Sequence, residues 1–421
     1  MIRRIVFAIV CIAVWGTYAQ NGTASPYSYF GIGDLRSTAT VENQMMGGMG
    51  IYADSIHINL QNPAGYSKLG LTTYTAGISR RELRLKSFTE EQSTAVTNLD
   101  YLAIGLRLGK GWGMGFGLRP YSSVGYNIVS EVDDGEETVI TQFVGEGGLN
   151  KVYFSMGYEF AKNLSVGATA SFNFGTLESD RIQGVEGVQL GTLDRRTSRV
   201  NGMDFNYALY YTPTFKDKYT LHASVRVNTQ ANLVSENTEE VGSFVLDNLL
   251  DLEVDEVNLD ALGLRNTELK IPTITTFGLG FGEERKWFLG AEYSFQGLSS
   301  FRNDFIVIDN FEYRDASSFA FGGHFIPDYS TFQGYFKRIT YRAGLRYDRT
   351  GMVVNDTDIN NFGITFGLGL PLGRNSFSNV NLGFELGRRG TTSADLVEES
   401  YFKINIGLSL NDIWFQKRKI N

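Results

Sequence analysis

Three histidines, one cysteine and a run of alternating carboxylates have the clearest claim to chemistry in this 421-residue chain, and their spacing supports little of it. His57, His222 and His324 show no metal-ligand pattern, which needs two ligands a few positions apart. Cys11 sits in an N-terminal apolar run, so the mature chain is expected to have neither thiol chemistry nor disulfides. Asp251-Leu252-Glu253-Val254-Asp255-Glu256 offers carboxylates for calcium, but it departs from the EF-hand pattern at Glu253 and lacks its glycine. The series Gly109, Gly111, Gly113, Gly115 and Gly117 looks like a phosphate loop, yet no helix follows it; it reads as strand alternation with small residues on one face. A lipase on such a scaffold needs Ser and His together on the lipid side, and His222 and His324 fall on the opposite face. The expectation is a protein that is not an enzyme, with no cofactor and no metal.

Recognition is better represented than catalysis. The segment 231–269 holds ten acidic residues against Arg265 alone. Between the acids run Val241, Phe244, Val245, Leu249, Leu252 and Leu259 at spacings near 3 and 4, which predicts an amphipathic helix or helical pair. Its apolar stripe suits a hydrophobic ligand, the rim of the fold or a protein partner. Near the N-terminus, Asn62-Pro63-Ala64 is a helix start: Asn caps the orphan amides and Pro gives up a donor that has no partner there. Gly65 and Gly70 keep that helix short.

The elements that hold these residues follow from the rest of the chain. Residues 1–19 carry Arg3 and Arg4, an apolar run and Thr17-Tyr18-Ala19, the three parts of a secretory signal. Removing the two arginines leaves 36 basic residues against 46 acidic, a charge of -10 that argues against nucleic acid. With 48 glycines, 30 Phe, 22 Tyr and only 7 prolines, the composition favours strands. Phe362, Ile364, Phe366, Leu368 and Leu370 alternate with Gly363, Thr365, Gly367 and Gly369, and the same split recurs along the chain. About fourteen such segments, each long enough to cross a bilayer when tilted, are joined by short and long links in strict alternation. The fold class is therefore all-β: a transmembrane antiparallel barrel of about 14 strands over residues 71–421, with 20–70 as a hatch in its lumen. The longest link is 230–270, and an even strand count puts both termini in the periplasm of an outer-membrane protein. Trp112, Trp287 and Trp414 fall at strand ends on the periplasmic side, where an aromatic girdle belongs. Pro120 falls in the middle of the third strand, where proline cannot join the ladder and signals a bulge.

The plug with Asn62-Pro63-Ala64, the fourteen strands, the opening Ser25-Pro26-Tyr27-Ser28-Tyr29-Phe30-Gly31-Ile32-Gly33-Asp34 and the ending Gly407-Leu408-Ser409-Leu410-Asn411-Asp412-Ile413-Trp414-Phe415 resemble the FadL family of outer-membrane transporters, in its Bacteroidota form. The resemblance implies uptake of hydrophobic small molecules: capture by the 230–270 loop through Phe244, Val245, Leu249 and Leu252, gating by the hatch, and lateral exit to lipid at Pro120, Ser122 and Ser123. A fatty acid would find an apolar pocket at Met45, Met46 and Met49 and a counter-charge at Arg346. The superfamily also contains barrels that act as subunits or shuttles of secretion complexes. The inward charges, among them Arg119, Arg226, Glu292, Arg346 and Glu385, are expected to pair and hold the plug, which suits that alternative.

Overall fold

The computed structural model describes residues 22–413 apart from 134, 136, 246–249, 307, 309, 332, 333 and 374–376, with backbone only at 250–252. The proposed signal segment, Trp414 and Leu249 lie outside the described residues, as does the side chain of Leu252. Fourteen antiparallel staves close a barrel: β1 (Thr72–Lys86), β2 (Glu91–Gly109), β3 (Trp112–Asp133), β4 (Thr138–Ala161), β5 (Leu164–Val185), β6 (Leu190–Tyr211), β7 (Tyr219–Asn228), β8 (Ile274–Glu283), β9 (Trp287–Gln296), β10 (Ala316–Phe325), β11 (Thr340–Val354), β12 (Thr357–Pro371), β13 (Asn379–Arg389) and β14 (Glu398–Asp412). Closure is made by β1 and β14, paired from Thr72 opposite Asp412 to Lys86 opposite Glu398.

The alternation that makes these strands also sorts their faces. On β8, Phe277, Leu279 and Phe281 point outward and are exposed, while Gly278, Gly280 and Gly282 face in. A greasy exterior is the cost-free face of a barrel in lipid, because the sheet satisfies its backbone groups internally. Inward glycine has the converse use, leaving room for the chain that fills the lumen.

Several links that read as loops are strand. The segments 84–98, 130–150 and 175–201 carry β1–β2, β3–β4 and β5–β6 beyond the bilayer as tall hairpins. Outside lipid such a hairpin needs no apolar face, so its polar sequence hides its pairing. Among the described residues of 231–269, sheet stands where a helix was expected. Ala231–Val245 continues the sheet by pairing with Leu190–Asn201 of β6, then turns back through Leu250–Glu256 and Asn266–Ile271, leaving one helical turn at Leu259–Leu262. A helix here would leave the upper edge of β6 unpaired, whereas a strand pairs it, and Glu236, Glu239 and Glu240 stand opposite Arg199, Arg196 and Arg195. Phe244 is buried with its ring against Gly191, so it is a cross-strand packing residue and no part of an open groove.

Candidate functional site

The hatch lies inside the barrel, and local chemistry seats it. Asn62 caps a 3₁₀ helix, Pro63–Lys68, its side chain accepting from the Ala64 amide at 3.1 Å. That helix rests on glycines of the wall: a Cβ on Gly167 would stand 2.2 Å from the Ala64 nitrogen, one on Gly157 2.5 Å from the Pro63 carbonyl oxygen, and one on Gly113 2.0 Å from the Tyr66 carbonyl oxygen. Backbone can come this close only where the wall has no side chains. Met45 packs on Gly367 and Gly383, while Met46 and Met49 join Ile51, Tyr210 and Phe288 in an apolar cluster. All three methionines are fully buried, so they fasten the hatch to the wall instead of lining a ligand pocket. Burying each contributes roughly 1.5–3 kcal/mol to docking.

Ion pairs complete the seat. Arg226 holds Glu292 at 2.7 Å, and Glu292 accepts the Gly50 amide of the hatch at 3.0 Å. Lys68 of the hatch pairs with Glu159 at 2.9 Å, and Lys151 with Asp204 at 2.6 Å. Arg346, expected to receive a carboxylate, is already saturated: it binds Glu385 at 2.8 Å, Asp348 at 2.6 Å and the Tyr401 hydroxyl at 2.9 Å. Near the short-turn rim, Asp54 accepts from the Ile56 and His57 amides and holds the His57 ring at 2.8 Å. Burial alone would raise the Asp54 pKa, but the imidazole and the two amides outweigh it and bring it to about 2. Its folded pKa is thus depressed, so its contribution is present above the ordinary value of 3.8 and is lost as pH falls through about 2. Asp54→Ala is expected to cost about 1–3 kcal/mol through the lost charged hydrogen bonds, read as a lower melting temperature at neutral pH. The difference from wild type should shrink on acidification across that window, and a difference independent of pH would refute the assignment.

The third stave carries the other half of the site. At Pro120 the register of β3 against β4 shifts, leaving Tyr121 as a bulge between Pro120 opposite Asn150 and Ser122 opposite Leu149. Pairing between β2 and β3 runs only from Gly109 opposite Trp112 to Leu102 opposite Leu118. Above it β3 turns to β4 and β2 turns to β1, and the wall has a break. The hatch fills it. Asp34 and Leu35 pair with Ser123 and Ser122 as a two-residue strand, and the Arg36 amide donates to the Tyr121 carbonyl at 2.9 Å. The Arg36 guanidinium then reaches the far bank at Asp100 of β2, 3.1 Å away. Asp34 is anchored from behind by Arg389 at 2.8 Å and Arg81 at 3.2 Å. Gly33 must be glycine here: φ is +89°, and a Cβ would lie 2.4 Å from the Ser123 carbonyl oxygen. Leu35 is 58% exposed, facing out through the break. Pro120, Ser122 and Ser123 are thus brought together with the hatch, and so is the base of 231–269, where Ala231, Leu233 and Leu269 share an apolar cluster with Ile32 of the hatch and Val124 of β3; Phe244 stands apart in the hairpin sheet.

Behind the break lies a cavity of about 530 Å³, bounded by the hatch segment Phe30–Thr38, by Arg119 and Tyr121 of β3, and by inward residues of the staves beyond. Arg119 lines it but was no more than one of many inward charges in the sequence; what distinguishes it is that, unlike Arg346, it has no carboxylate partner in ion-pair range among the described residues. Only tertiary placement could reveal that.

Known structures share this architecture. The Pseudomonas putida toluene transporter TodX superposes with a TM-score of 0.59 at 15% identity, covering 91% of this chain and 100% of that one. The Ralstonia pickettii toluene transporter TbuX gives 0.57 at 15%, covering 90% and 99%, and a Pseudomonas aeruginosa FadL homologue gives 0.57 at 12%, covering 91% and 100%. At such identities the likeness is one of fold, that of the FadL-type outer-membrane barrels. No curated protein matches the sequence. The family model of BamG matches residues 1–421, the whole length, and the chain belongs to the BamG family.

Proposed function

We propose that this protein is a subunit of an outer-membrane assembly that uses the FadL-type barrel as a closed scaffold and carries no substrate through it. The observation that supports this most is the state of the lumen. Its hatch is built into the wall at the β2–β3 break and is tied down by Arg226–Glu292, Lys68–Glu159 and Asp34–Arg389. The two arginine pairs are expensive to open, since Glu292 or Asp34 released from its arginine stays in a poorly solvated place. Membership of the BamG family supports an assembly role. In this reading the short-turn rim and both termini face the periplasm, the exterior belt meets outer-membrane lipid, and protein partners meet the tall hairpins. Phe88, Val129 and Val132 toward the ends of those hairpins and Leu262 on the helical turn of the 231–271 segment are all well exposed. No catalytic step and no cofactor is required.

A second reading is uptake of a hydrophobic small molecule, with release at the third-stave kink. It is favoured by the structural neighbours, which include toluene transporters and a monoaromatic hydrocarbon channel, and by the break beside Pro120. Native mass spectrometry on the protein drawn from outer membranes in mild detergent separates the two. A stoichiometric protein partner, lost when Phe88 and Leu262 are changed to Ser, supports the assembly reading. A solitary barrel that retains a hydrophobic ligand, and loses it on Pro120→Ala, supports uptake and overturns ours.

A further inference from the structure

The break between β2 and β3 continues above the hatch. Gly22 fills its foot: a Cβ there would stand 2.4 Å from Ser123 Oγ of β3 and 3.6 Å from Asn98 Oδ1 of β2, so one chain spans the break at that level. Above it β2 follows β1 and, among the described residues, 124–133 of β3 pair only with β4, which leaves the other edge of β3 open. Tyr126 and Ile128 pack toward Ile32 of the hatch, so by alternation Asn127, Val129 and Glu131 point to the outside. Asn127 and Glu131 are exposed and polar there, which sets this stretch beyond the lipid. The hatch fixes the phase of the edge. Ser123 pairs with Asp34, the Tyr121 carbonyl accepts the Arg36 amide at 2.9 Å, and the Gly125 amide donates to Ser28 Oγ at 3.1 Å. Odd-numbered residues thus turn their amides and carbonyls to the break, and that phase carries on through Asn127, Val129 and Glu131, which no described segment pairs on this side. A row of unpaired backbone groups is a template for another strand, and proteins usually blunt it with charges or proline. The edge strand Leu250–Glu256 is blunted in this way by four carboxylates, whereas 124–130 hold no charge and no proline.

We propose that one extended segment of a partner protein completes this edge, added antiparallel to 127–131 of β3 with an apolar side chain beside Val129 and a lysine or arginine beside Glu131. The hatch sets the precedent, since Asp34 and Leu35 come from far away in sequence and pair antiparallel with the same edge two residues below Gly125. Val129 is 62% exposed, and an apolar cross-strand neighbour would cover it. The basic residue follows from charge: neither 90–101 nor 124–133 contains Lys or Arg, while Glu90, Glu91, Glu131 and Asp133 crown the break. On the assembly reading, from which this follows, the strand is how the partner is held, and Phe88 at the turn between β1 and β2 stands beside it on the opposite bank.

The test uses the full mature protein in mild detergent and the fluorescence anisotropy of three labelled peptides. The first is a short threonine-rich peptide with valine and lysine two residues apart, the second is the same peptide N-methylated at its valine and lysine, and the third has glutamate in place of lysine. The first is expected to bind about tenfold more tightly than the N-methylated form, which has lost the donors facing the edge, and about threefold more tightly than the glutamate form. Val129→Pro removes an amide that points into the break and no bond to β4, and should weaken the first peptide by about fivefold. Glu131→Lys serves if Val129→Pro gives no heat-modifiable barrel, and should reverse the preference for lysine over glutamate. No binding of the first peptide, equal binding of the N-methylated one, or both variants unchanged would each overturn the proposal. So would a dimer of the barrel in native mass spectrometry that Val129→Pro dissolves, because the edge would then belong to a second copy. Failure here is distinct from failure of the assembly reading: a co-purified partner with no peptide bound removes the edge strand alone, whereas peptide bound by a barrel that co-purifies no protein upholds the edge and removes the assembly reading.

Discussion

Replacing Gly167 with valine should convert a closed barrel into a conducting one. The Cβ would stand 2.2 Å from both the Ala64 nitrogen and the Pro63 carbonyl carbon, so what it meets is backbone held by the Asn62 cap and by the neighbouring glycines. Side chains at the end of a flexible arm can move away from such an intrusion; a capped 3₁₀ turn cannot. Overpacking of a fitted contact typically costs 1–3 kcal/mol when the surroundings yield and more when they do not. Gly157 and Gly113 leave the turn no space sideways, so the strain is relieved by lifting Pro63–Lys68 off the wall and taking Lys68 away from Glu159. In planar bilayers the wild type is expected to be silent and Gly167→Val to give discrete current steps. Gly109→Val is the matched control, since no atom lies within 4 Å of its Cβ position. Silence from Gly167→Val in a barrel shown to be inserted would mean that the hatch is held by something other than this seat.

Much of this arrangement is present in the sequence because its causes are local. The alternation of Phe362, Ile364 and Phe366 with small residues is what makes β12 a stave, and the Asn62-Pro63 pair makes its own turn whatever surrounds it. Pro120 interrupts the ladder for a reason intrinsic to proline, so the kink was legible as well. What could not be read depends on distant partners. Val241, Phe244 and Leu259 have helical spacing, yet the edge of β6 was there to be paired, and non-local hydrogen bonding overrode the local pattern. Arg346 and Arg119 look alike in sequence; Glu385 pairs with one of them, and among the described residues no carboxylate comes within ion-pair range of the other. The two-residue strand Asp34–Leu35 has no periodicity at all, and only the break between β2 and β3 gives it a role. Met45, Met46 and Met49 are apolar enough to line a fatty-acid pocket, but Met45 is seated on Gly367 and Gly383 and the other two are packed in the cluster with Tyr210 and Phe288, which makes them anchors.

Removing one member of the Arg226–Glu292 pair is expected to be worse than removing both. The two groups are 7% and 6% exposed in their side chains and 2.7 Å apart, and Glu292 also receives the Gly50 amide of the hatch. In Arg226→Met the carboxylate stays buried with only neutral backbone amides beside it, and deleting one partner of a buried pair typically costs about 3–5 kcal/mol. In the double variant Arg226→Met, Glu292→Gln the charge is gone while the amide oxygen still accepts from Gly50, so most of the loss should be recovered. The measurement is the temperature at which the detergent-solubilised barrel loses its heat-modifiable form, together with the rate at which trypsin cuts at Lys68. Arg226→Met should melt well below wild type and be cut faster, with the double variant closer to wild type on both. A double variant as unstable as the single one would show that the arginine contributes through its packed stem and not by neutralising Glu292. The recovery, if seen, also bears on why the pair exists. A lumen filled by neutral side chains would hold a hatch at least as firmly, so recovery in the double variant would mean that the pair is not there for stability alone.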